Sequence, residues 1–180
     1  TFASCLAVDS EDYACTNDLG SLYLDRKRYA DARRELLRAH QLAPEGPEAL
    51  VNLGYLSDEL GNRPAAVAYY AEAIYVWPYF ADAYVNLSFD QIRQGSIDQA
   101  EGVLRKGLSI APKDPRIHYL LGVVDEVHGK RAEAVAEFRF AESSPDPEVA
   151  NSARENVSDI ERTGASAGAR PVPSPPSPHR

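Results

Sequence analysis

The sequence predicts an all-α fold built from repeated helical hairpins, and one spacing carries that prediction. Four residue types recur every 34 positions along the chain of 180 residues. The columns are Ala32, Ala66, Ala100 and Ala134; Leu19, Leu53, Leu87 and Leu121; Gly61, Gly95 and Gly129; and Pro44, Pro78 and Pro112. Because four columns with one common spacing rarely arise by chance, this period indicates one helix–turn–helix unit copied along the chain.

The columns also assign the parts of each hairpin. A small-residue column lies in the middle of the first helix, where glycine is about 1 kcal/mol less favourable than alanine. Its members are Gly20, Gly54, Ser88 and Gly122. We therefore expect the second helix, with its alanine column, to approach closely there. Gly61, Gly95 and Gly129 fall between the helices, where a left-handed residue makes the turn, and Lys27 takes that place in the first hairpin.

Helix ends are marked as well. The proline column ends each second helix, because the residue before a proline is pushed out of helical geometry. Asp114 and Asp146 each precede a proline that suits the first helical position, so both are predicted N-caps, and Ser10 is the predicted cap of the first full helix. A final helix over residues 147–162 carries one apolar stripe and one polar face, as the end of a repeat array requires.

The repeats resemble the tetratricopeptide repeat (TPR), whose pattern runs W-x-x-L-G-x-x-Y, then A-x-x-x-F, then P. The first copy reads Thr16-x-x-Leu19-Gly20-x-x-Tyr23, then Ala32-x-x-x-Leu36, then Pro44. The resemblance implies an α-α superhelix, or solenoid, of about four TPR hairpins at residues 13–46, 47–80, 81–114 and 115–146. Residues 1–12 then resemble the end of a preceding repeat, residues 147–162 form a C-terminal capping helix, and residues 163–180 form a disordered proline-rich tail.

In the TPR family the first helix of each repeat lines a concave groove, which implies a partner-binding surface. The predicted groove residues are Asn17, Asp18, Asn52, Tyr55, Asp82, Asn86, Phe89, Arg93, Arg116 and Tyr119. Carboxamides both donate and accept hydrogen bonds, so the asparagines are expected to hold the backbone of an extended peptide, unless they bond only to the neighbouring helix. The aromatic rings either anchor an apolar side chain of the partner or fill the seam between repeats.

Charge narrows the class of partner. The formal net charge is −8 and the pI about 5.0, which argues against nucleic acid, because phosphate binding requires a basic face. Over all the helix positions expected to face the groove, seven acids stand against the two bases Arg93 and Arg116, so we expect a basic or neutral peptide, or a helix bearing Lys or Arg. The acids are Asp18, Asp25, Glu48, Asp58, Glu59, Asp82 and Glu126. A carboxylate ligand, which some TPR domains clamp with basic residues, would be repelled by Asp82. No apolar run reaches the length of a membrane span.

Residues with catalytic or metal-binding chemistry are scattered. The four histidines form no metal-ligand motif, and neither Cys-x-x-Cys nor a glycine-rich phosphate loop occurs, so no enzyme, metal site or cofactor is predicted. Cys5 and Cys15 are either buried thiols or a disulfide of an oxidising compartment. A third interpretation makes residues 2–5, Phe-Ala-Ser-Cys, a bacterial lipoprotein processing site with a lipid on Cys5. Pro173-x-x-Pro176 fits an SH3 or WW ligand, with a solvated tail as the alternative.

Three functions are compatible with these features. The first is a non-catalytic scaffold or adaptor that binds a peptide or helix in the groove, as part of a larger hetero-complex. The second is a lipoprotein of a bacterial envelope that recruits pilus or secretion subunits. The third is a structural subunit docked permanently in a large complex. The compartment therefore stays open between the cytoplasm and a bacterial periplasm or envelope.

Overall fold

The computed structural model describes residues 12–163, and within them every regular element is an α-helix. The helices are α1 (Tyr13–Asp25), α2 (Tyr29–Leu42), α3 (Pro47–Glu59), α4 (Arg63–Val76), α5 (Ala81–Arg93), α6 (Ile97–Ile110), α7 (Pro115–Val127), α8 (Arg131–Ala141) and α9 (Pro147–Thr163). The first helices of the four pairs start 34 residues apart. Among these helices, none combines the length and the apolar character that spanning a bilayer requires.

The chain divides into two compact units, and the boundary between Ala83 and Tyr84 falls inside α5. Unit 1 holds α1 to α4 and the first residues of α5. In this unit α1 packs on α2, α3 packs on α4, and α2 also packs on α3. Its central core cluster joins residues from all of α1, α2 and α3, namely Leu24, Ala32, Leu36, Leu53 and Leu56.

Unit 2 holds the rest of α5 together with α6 to α9. Here α6 packs on α7, α7 packs on α8, and α9 contacts both α7 and α8. Leu104, Ile117 and Phe138 are fully buried in its core. The apolar stripe of α9 joins the same core through Val149, Ala153, Val157 and Ile160. The terminal helix therefore covers the apolar side of the last hairpin.

Close helix contacts occur where the small-residue column predicts them. A Cβ atom added at Gly20 would lie 2.6 Å from the Leu36 side chain, and one added at Gly122 would lie 2.7 Å from the Phe138 ring. Both distances are far shorter than an ordinary carbon–carbon contact, so only a residue without a side chain fits. The alanine column is fully buried, but the side chains nearest the glycines are those that lie four residues after an alanine of that column: Leu36, Tyr70 and Phe138.

The turns also follow the predicted pattern. The turn residues all have positive φ, with values of 55° at Lys27, 75° at Gly61, 76° at Gly95 and 74° at Gly129. The carboxylate of Asp114 accepts a hydrogen bond from the Arg116 amide, and that of Asp146 accepts one from the Glu148 amide, which confirms both predicted caps.

The start of α1 differs from the prediction. Its N-cap is Asp12, whose side chain accepts a hydrogen bond from the Cys15 amide, so the assignment of this role to Ser10 is wrong. Asp12 is the better cap because its carboxylate lies three residues before that amide, the spacing that a cap requires. Ser10 itself, the remainder of residues 1–11, and the predicted tail from residue 164 onward lie outside the described residues.

Candidate peptide-binding surface

Two buried carboxamides link the first helices of unit 1. Asn17 lies in α1 and Asn52 in α3, and the Asn52 Nδ2 donates a 2.9 Å hydrogen bond to the Asn17 Oδ1. Asn52 is 2% exposed and Asn17 is 9% exposed. A bond to the neighbouring helix was one of the two roles that the sequence left open. It orients α1 against α3 below the surface that these helices present.

The same two helices carry only acidic charges. Together α1 and α3 contain five carboxylates and no Lys, Arg or His: Asp18, Asp25, Glu48, Asp58 and Glu59. Four of these side chains are exposed, and the half-buried Asp58 lies 3.8 Å from Arg63 at the start of α4. Asp82, in the first turn of α5, is half-buried. We call the exposed carboxylates of α1 and α3 the acidic surface; the exposed bases Arg26, Lys27 and Arg28 follow α1 directly along the chain.

Tyrosine rings adjoin this acidic surface at the carboxyl ends of both helices. Tyr55 is half-buried, and it packs with Tyr29 against the core of unit 1. The Tyr29 hydroxyl donates a 2.9 Å hydrogen bond to Glu59, which raises the pKa of Tyr29. Burial raises the pKa of Tyr55, and the nearby charges of Glu59 and Asp25 raise it further. These four residues form what we call the Tyr55 corner: Asp25, Tyr29, Tyr55 and Glu59.

A third tyrosine fastens the amino ends of α1 and α3 together. The Tyr13 hydroxyl donates a 2.7 Å hydrogen bond to Glu48 and accepts one of 3.3 Å from the Ala49 amide. Burial raises the pKa of Tyr13, and the hydrogen bond to Glu48 raises it further. Neither Tyr13 nor Tyr29 was among the predicted site residues. A tyrosine at the first position of a helix, 30 or 35 residues from a carboxylate, gives no recognisable signal in a single sequence.

Two predicted aromatic anchors of unit 2 belong to the core instead. Phe89 is 4% exposed and Tyr119 is 5% exposed. The Tyr119 ring packs on that of Phe138, with centroids 5.5 Å apart, and its hydroxyl accepts a 3.3 Å hydrogen bond from Asn156 in α9. These rings therefore have the packing role that the sequence left open, and neither offers an exposed face to a ligand.

The predicted bases of unit 2 lie next to acids. Arg116 makes a two-pronged contact with Asp114, at 3.0 Å from Nε and 2.6 Å from Nη2. Arg93 lies 3.9 Å from Asp90, and its guanidinium carbon is 5.5 Å from the centroid of the Phe89 ring. Asn86, the third predicted carboxamide, is 3% exposed. Unit 2 thus shows mixed charges, in contrast to the acidic surface of unit 1.

One group of side chains in unit 2 has the composition of a metal site. The ligand atoms of Asp98, Glu101 and His128 all lie within 4.8 Å of one another. Glu101, however, accepts a 3.0 Å hydrogen bond from Arg105 and lies 3.8 Å from Lys130. The hydrogen bond from Arg105 lowers the pKa of Glu101. Two cations already neutralise this carboxylate, so the group carries no argument for a metal.

The cysteines lie at the edge of the described residues. Cys15 lies in the first turn of α1, where it is half-buried and disulfide-bonded. The other cysteine, Cys5, lies outside the described residues, so its pairing and its lipidation both stay predictions.

Two models of a known protein family match the sequence of this chain. One tetratricopeptide repeat model matches residues 6–84, and a second one matches residues 59–124. The chain belongs to the TPR superfamily. The matched residues include α1 to α6 and most of α7, and thus the acidic surface and the Tyr55 corner. This confirms the family that the spacing of small and apolar residues predicted.

Individual relatives agree with this assignment. The cytochrome c-type biogenesis protein CycH of Rhizobium meliloti (strain 1021) is 31% identical over 141 residues, which are 78% of this chain but only 29% of CycH. MamA, known from its crystal structure, has 26% sequence identity to this chain, and the two structures superpose with a TM-score of 0.64 over 88% of this chain and 87% of MamA. The thermophilic TPR protein TTC0263 of Thermus thermophilus is 24% identical with a TM-score of 0.69, over 83% and 85% of the two chains.

These similarities show an all-α TPR solenoid, and they support a protein-interaction scaffold as the general function. TPR proteins bind proteins or peptides and are generally non-catalytic. The fold is shared by proteins with unrelated roles, so the ligand of this chain has to be inferred from its own side chains.

Proposed function

We propose that the acidic surface of unit 1 binds a basic segment of another protein, and that the chain serves as a non-catalytic adaptor within a larger assembly. One observation carries the proposal: α1 and α3 hold five carboxylates and no basic residue. A surface whose charges are of one sign attracts a partner of the opposite sign and accelerates its association. An acidic partner would be repelled by this arrangement.

The Tyr55 corner supplies a specific place for a Lys or Arg side chain of the partner. Carboxylates of Asp25 and Glu59 lie beside the rings of Tyr29 and Tyr55. An ammonium or guanidinium group gains from both, because the face of an aromatic ring attracts a cation and a carboxylate accepts its hydrogen bonds. Tyr55 also keeps part of its ring exposed, unlike Phe89 and Tyr119.

The buried asparagines have a supporting role in this proposal. The bond between Asn17 and Asn52 holds α1 and α3 in one orientation. Because the acids are distributed over these two helices, a fixed orientation presents them together, and a rigid surface binds with a smaller loss of entropy. Asn17 and Asn52 would then act on binding through the position of the helices.

A direct test compares two charge variants of equal net charge. Asp25→Asn/Glu59→Gln removes two carboxylates from the Tyr55 corner, whereas Glu133→Gln/Glu148→Gln removes two exposed ones from unit 2. The probe is a fluorescent 15-residue peptide of alternating Lys and Ala, with a Glu and Ala peptide as the counterpart, followed by fluorescence anisotropy. We expect the first variant to weaken binding about tenfold, which corresponds to about 1.4 kcal/mol, and the second to change it little.

Salt provides the second arm of this test. Affinity for the Lys peptide should fall as ionic strength rises, since exposed charges are screened beyond about 8–10 Å at physiological salt. If both double variants lose the same affinity, the effect comes from net charge alone and the assignment to the Tyr55 corner is wrong. Affinity that does not change with salt would contradict the electrostatic proposal itself.

A second candidate function follows from the similarity to CycH. We infer that the scaffold assists cytochrome c-type biogenesis in a bacterial envelope, because the relative named for that process is 31% identical over most of this chain. The disulfide-bonded state of Cys15 agrees with an oxidising compartment. Deletion of the gene should then lower the content of c-type cytochromes, measured by haem staining. Unchanged cytochrome content would oppose this role and leave the peptide-binding proposal intact.

The chemical state of Cys5 tests whether the protein is a lipoprotein of a bacterial envelope. Mass spectrometry of the mature chain would show either a lipid on Cys5 or a mass two hydrogens lower that is restored by reduction. A lipid would place the chain among anchored lipoproteins, and the reducible form would identify a disulfide between Cys5 and Cys15.

A further inference from the structure

Unit 1 has a second unusual surface, which is aromatic and almost uncharged. Three large rings near the end of α4 and in the turn after it are exposed: Tyr75 by 85%, Trp77 by 52% and Tyr79 by 76%. The Cα atoms of Tyr75 and Tyr79 are four residues apart, so they lie at most about 14 Å from one another. We call Tyr75, Trp77 and Tyr79 the aromatic patch.

The repeat fold does not require these rings. At the same positions the other three repeats have small, polar or proline residues: Gln41, Ser109 and Ser143 for Tyr75; Ala43, Ala111 and Pro145 for Trp77; Glu45, Lys113 and Pro147 for Tyr79. The amide of Trp77 closes α4 on the carbonyl of Ala73 in the way that Ala43 and Ala111 close α2 and α6. Because alanine makes the same cap, the exposed rings point to a ligand.

Charges are also few along the chain on either side of the patch, up to Asp82. Between Pro64 and Ala81 the only ionised side chain is Glu72, which is exposed on α4. Surfaces that combine Trp and Tyr with few charges are typical of the energetically important centre of a binding site. The patch is therefore distinct in chemistry from the acidic surface, and the ligand it suits is apolar and at most weakly basic.

We propose that the aromatic patch binds the proline-rich segment at residues 170–180 of this protein, supplied by the same or by a second copy of the chain. The segment reads Arg-Pro-Val-Pro-Ser-Pro-Pro-Ser-Pro-His-Arg and contains five prolines, two arginines and no acid. Such sequences form an extended polyproline helix before binding, and aromatic side chains are the surface on which their rings dock with little loss of entropy. The arginines suit the faces of Tyr and Trp, and the nearby Glu72 complements their charge.

The chain carries its own probe for this contact, because Trp77 is its only tryptophan. The full-length wild type is compared with a variant in which all five tail prolines become serine: Pro171→Ser, Pro173→Ser, Pro175→Ser, Pro176→Ser and Pro178→Ser. A matched control keeps the prolines and changes three residues before them: Ala165→Ser, Ala167→Ser and Ala169→Ser. Circular dichroism verifies that helix content is equal in the three proteins.

Occupancy of the patch would shield Trp77 from water. In the wild type and in the control variant, which keeps all five prolines, we expect Trp77 emission at shorter wavelength and weaker quenching by acrylamide than in the variant without the prolines. A synthetic peptide of residues 170–180, titrated into the proline variant, should restore both signals. A dilution series tells whether the same copy or a second copy supplies the segment, and either result supports the proposal.

Three outcomes would overturn it. The first is identical emission and quenching in the wild type and the proline variant, with no response to the peptide. The second is a shift that depends on concentration equally in both proteins, which would mean that patches of two copies bind each other. The third is a shift that appears only when lipid vesicles are added. None of these outcomes affects the proposal for the acidic surface, which uses other residues.

Discussion

A pair of glycine substitutions in unit 2 tests how tightly the hairpins pack. Gly122 lies in the middle of α7, where an added Cβ would lie 2.7 Å from two carbons of the Phe138 ring. Gly102 lies in the middle of α6, where an added Cβ would meet no atom within 4 Å. Gly122→Ala and Gly102→Ala therefore make the same chemical change in a crowded and in an open place.

The expected free energies follow from two terms. Alanine in place of a mid-helix glycine stabilises a helix by about 1 kcal/mol, and this gain applies to both variants. At Gly122 the ring of Phe138, which is fully buried, would have to retreat by about 1 Å to restore an ordinary carbon contact. Overpacking of this kind costs about 1–3 kcal/mol. Gly102→Ala should thus stabilise the protein, and the two variants should differ by about 1–3 kcal/mol.

Urea unfolding followed by circular dichroism measures the difference. With a slope of about 2 kcal/mol per molar urea, the midpoints of the two variants should lie about 0.5–1.5 M apart. Gly102→Ala should unfold at higher urea than the wild type, and Gly122→Ala at lower or equal urea. If both midpoints rise together, the contact between Gly122 and Phe138 does not limit packing, and the explanation of the small-residue column is wrong.

Three further predictions concern unit 1, each measured as the free energy of unfolding in urea. Asn52→Ala should lower the free energy of unfolding by about 1–3 kcal/mol, because it leaves the Asn17 carboxamide buried without its hydrogen bond from Asn52. The double variant Asn17→Ala/Asn52→Ala should lose less stability than the two single variants together. Additive losses would mean that the two side chains do not interact. Burial and the bond to Glu48 raise the pKa of Tyr13 above 10.0, so its hydroxyl stabilises the fold fully below about pH 10 and loses this effect as the pH rises further. Wild-type stability should therefore fall more steeply above about pH 10 than that of Tyr13→Phe, and parallel curves would refute this. Asp12→Ala should cost about 0.5–2 kcal/mol by removing the N-cap of α1, whereas Asp12→Asn, which still accepts a hydrogen bond, should cost little.

The sequence predicts the hairpins well because each requirement acts locally. Glycine at residue 122 has one obvious use in a helix, which is to let another helix come close, and Phe138 lies there. Lys27 was assigned to a left-handed turn only because it occupies the column of Gly61, and its φ of 55° confirms that assignment. In such cases the spacing and the residue type together leave one physical solution.

The binding surface was harder to predict, because exposure depends on what the neighbouring helix covers. Tyr55 and Tyr119 occupy nearby positions in their helices, yet Tyr55 is half-buried while Tyr119 is 5% exposed and bonded to Asn156. The helix α9, outside the repeat pattern, supplies that asparagine. A single sequence shows which repeat position a residue occupies. It does not show how a helix outside the repeat pattern, such as α9, is aligned against the helices that it covers.

The positive φ of Lys27 has a practical consequence. A residue with a side chain pays roughly 1–2 kcal/mol to adopt left-handed geometry, whereas glycine reaches it freely but is more flexible when unfolded, which offsets about 0.5–1 kcal/mol. The other three turns already have glycine at this position. Replacing the exposed Lys27 by glycine should therefore stabilise the first hairpin slightly. Lys27 belongs neither to the acidic surface nor to the aromatic patch. The single substitution Lys27→Gly should therefore give a more stable protein for ligand screening without changing either surface.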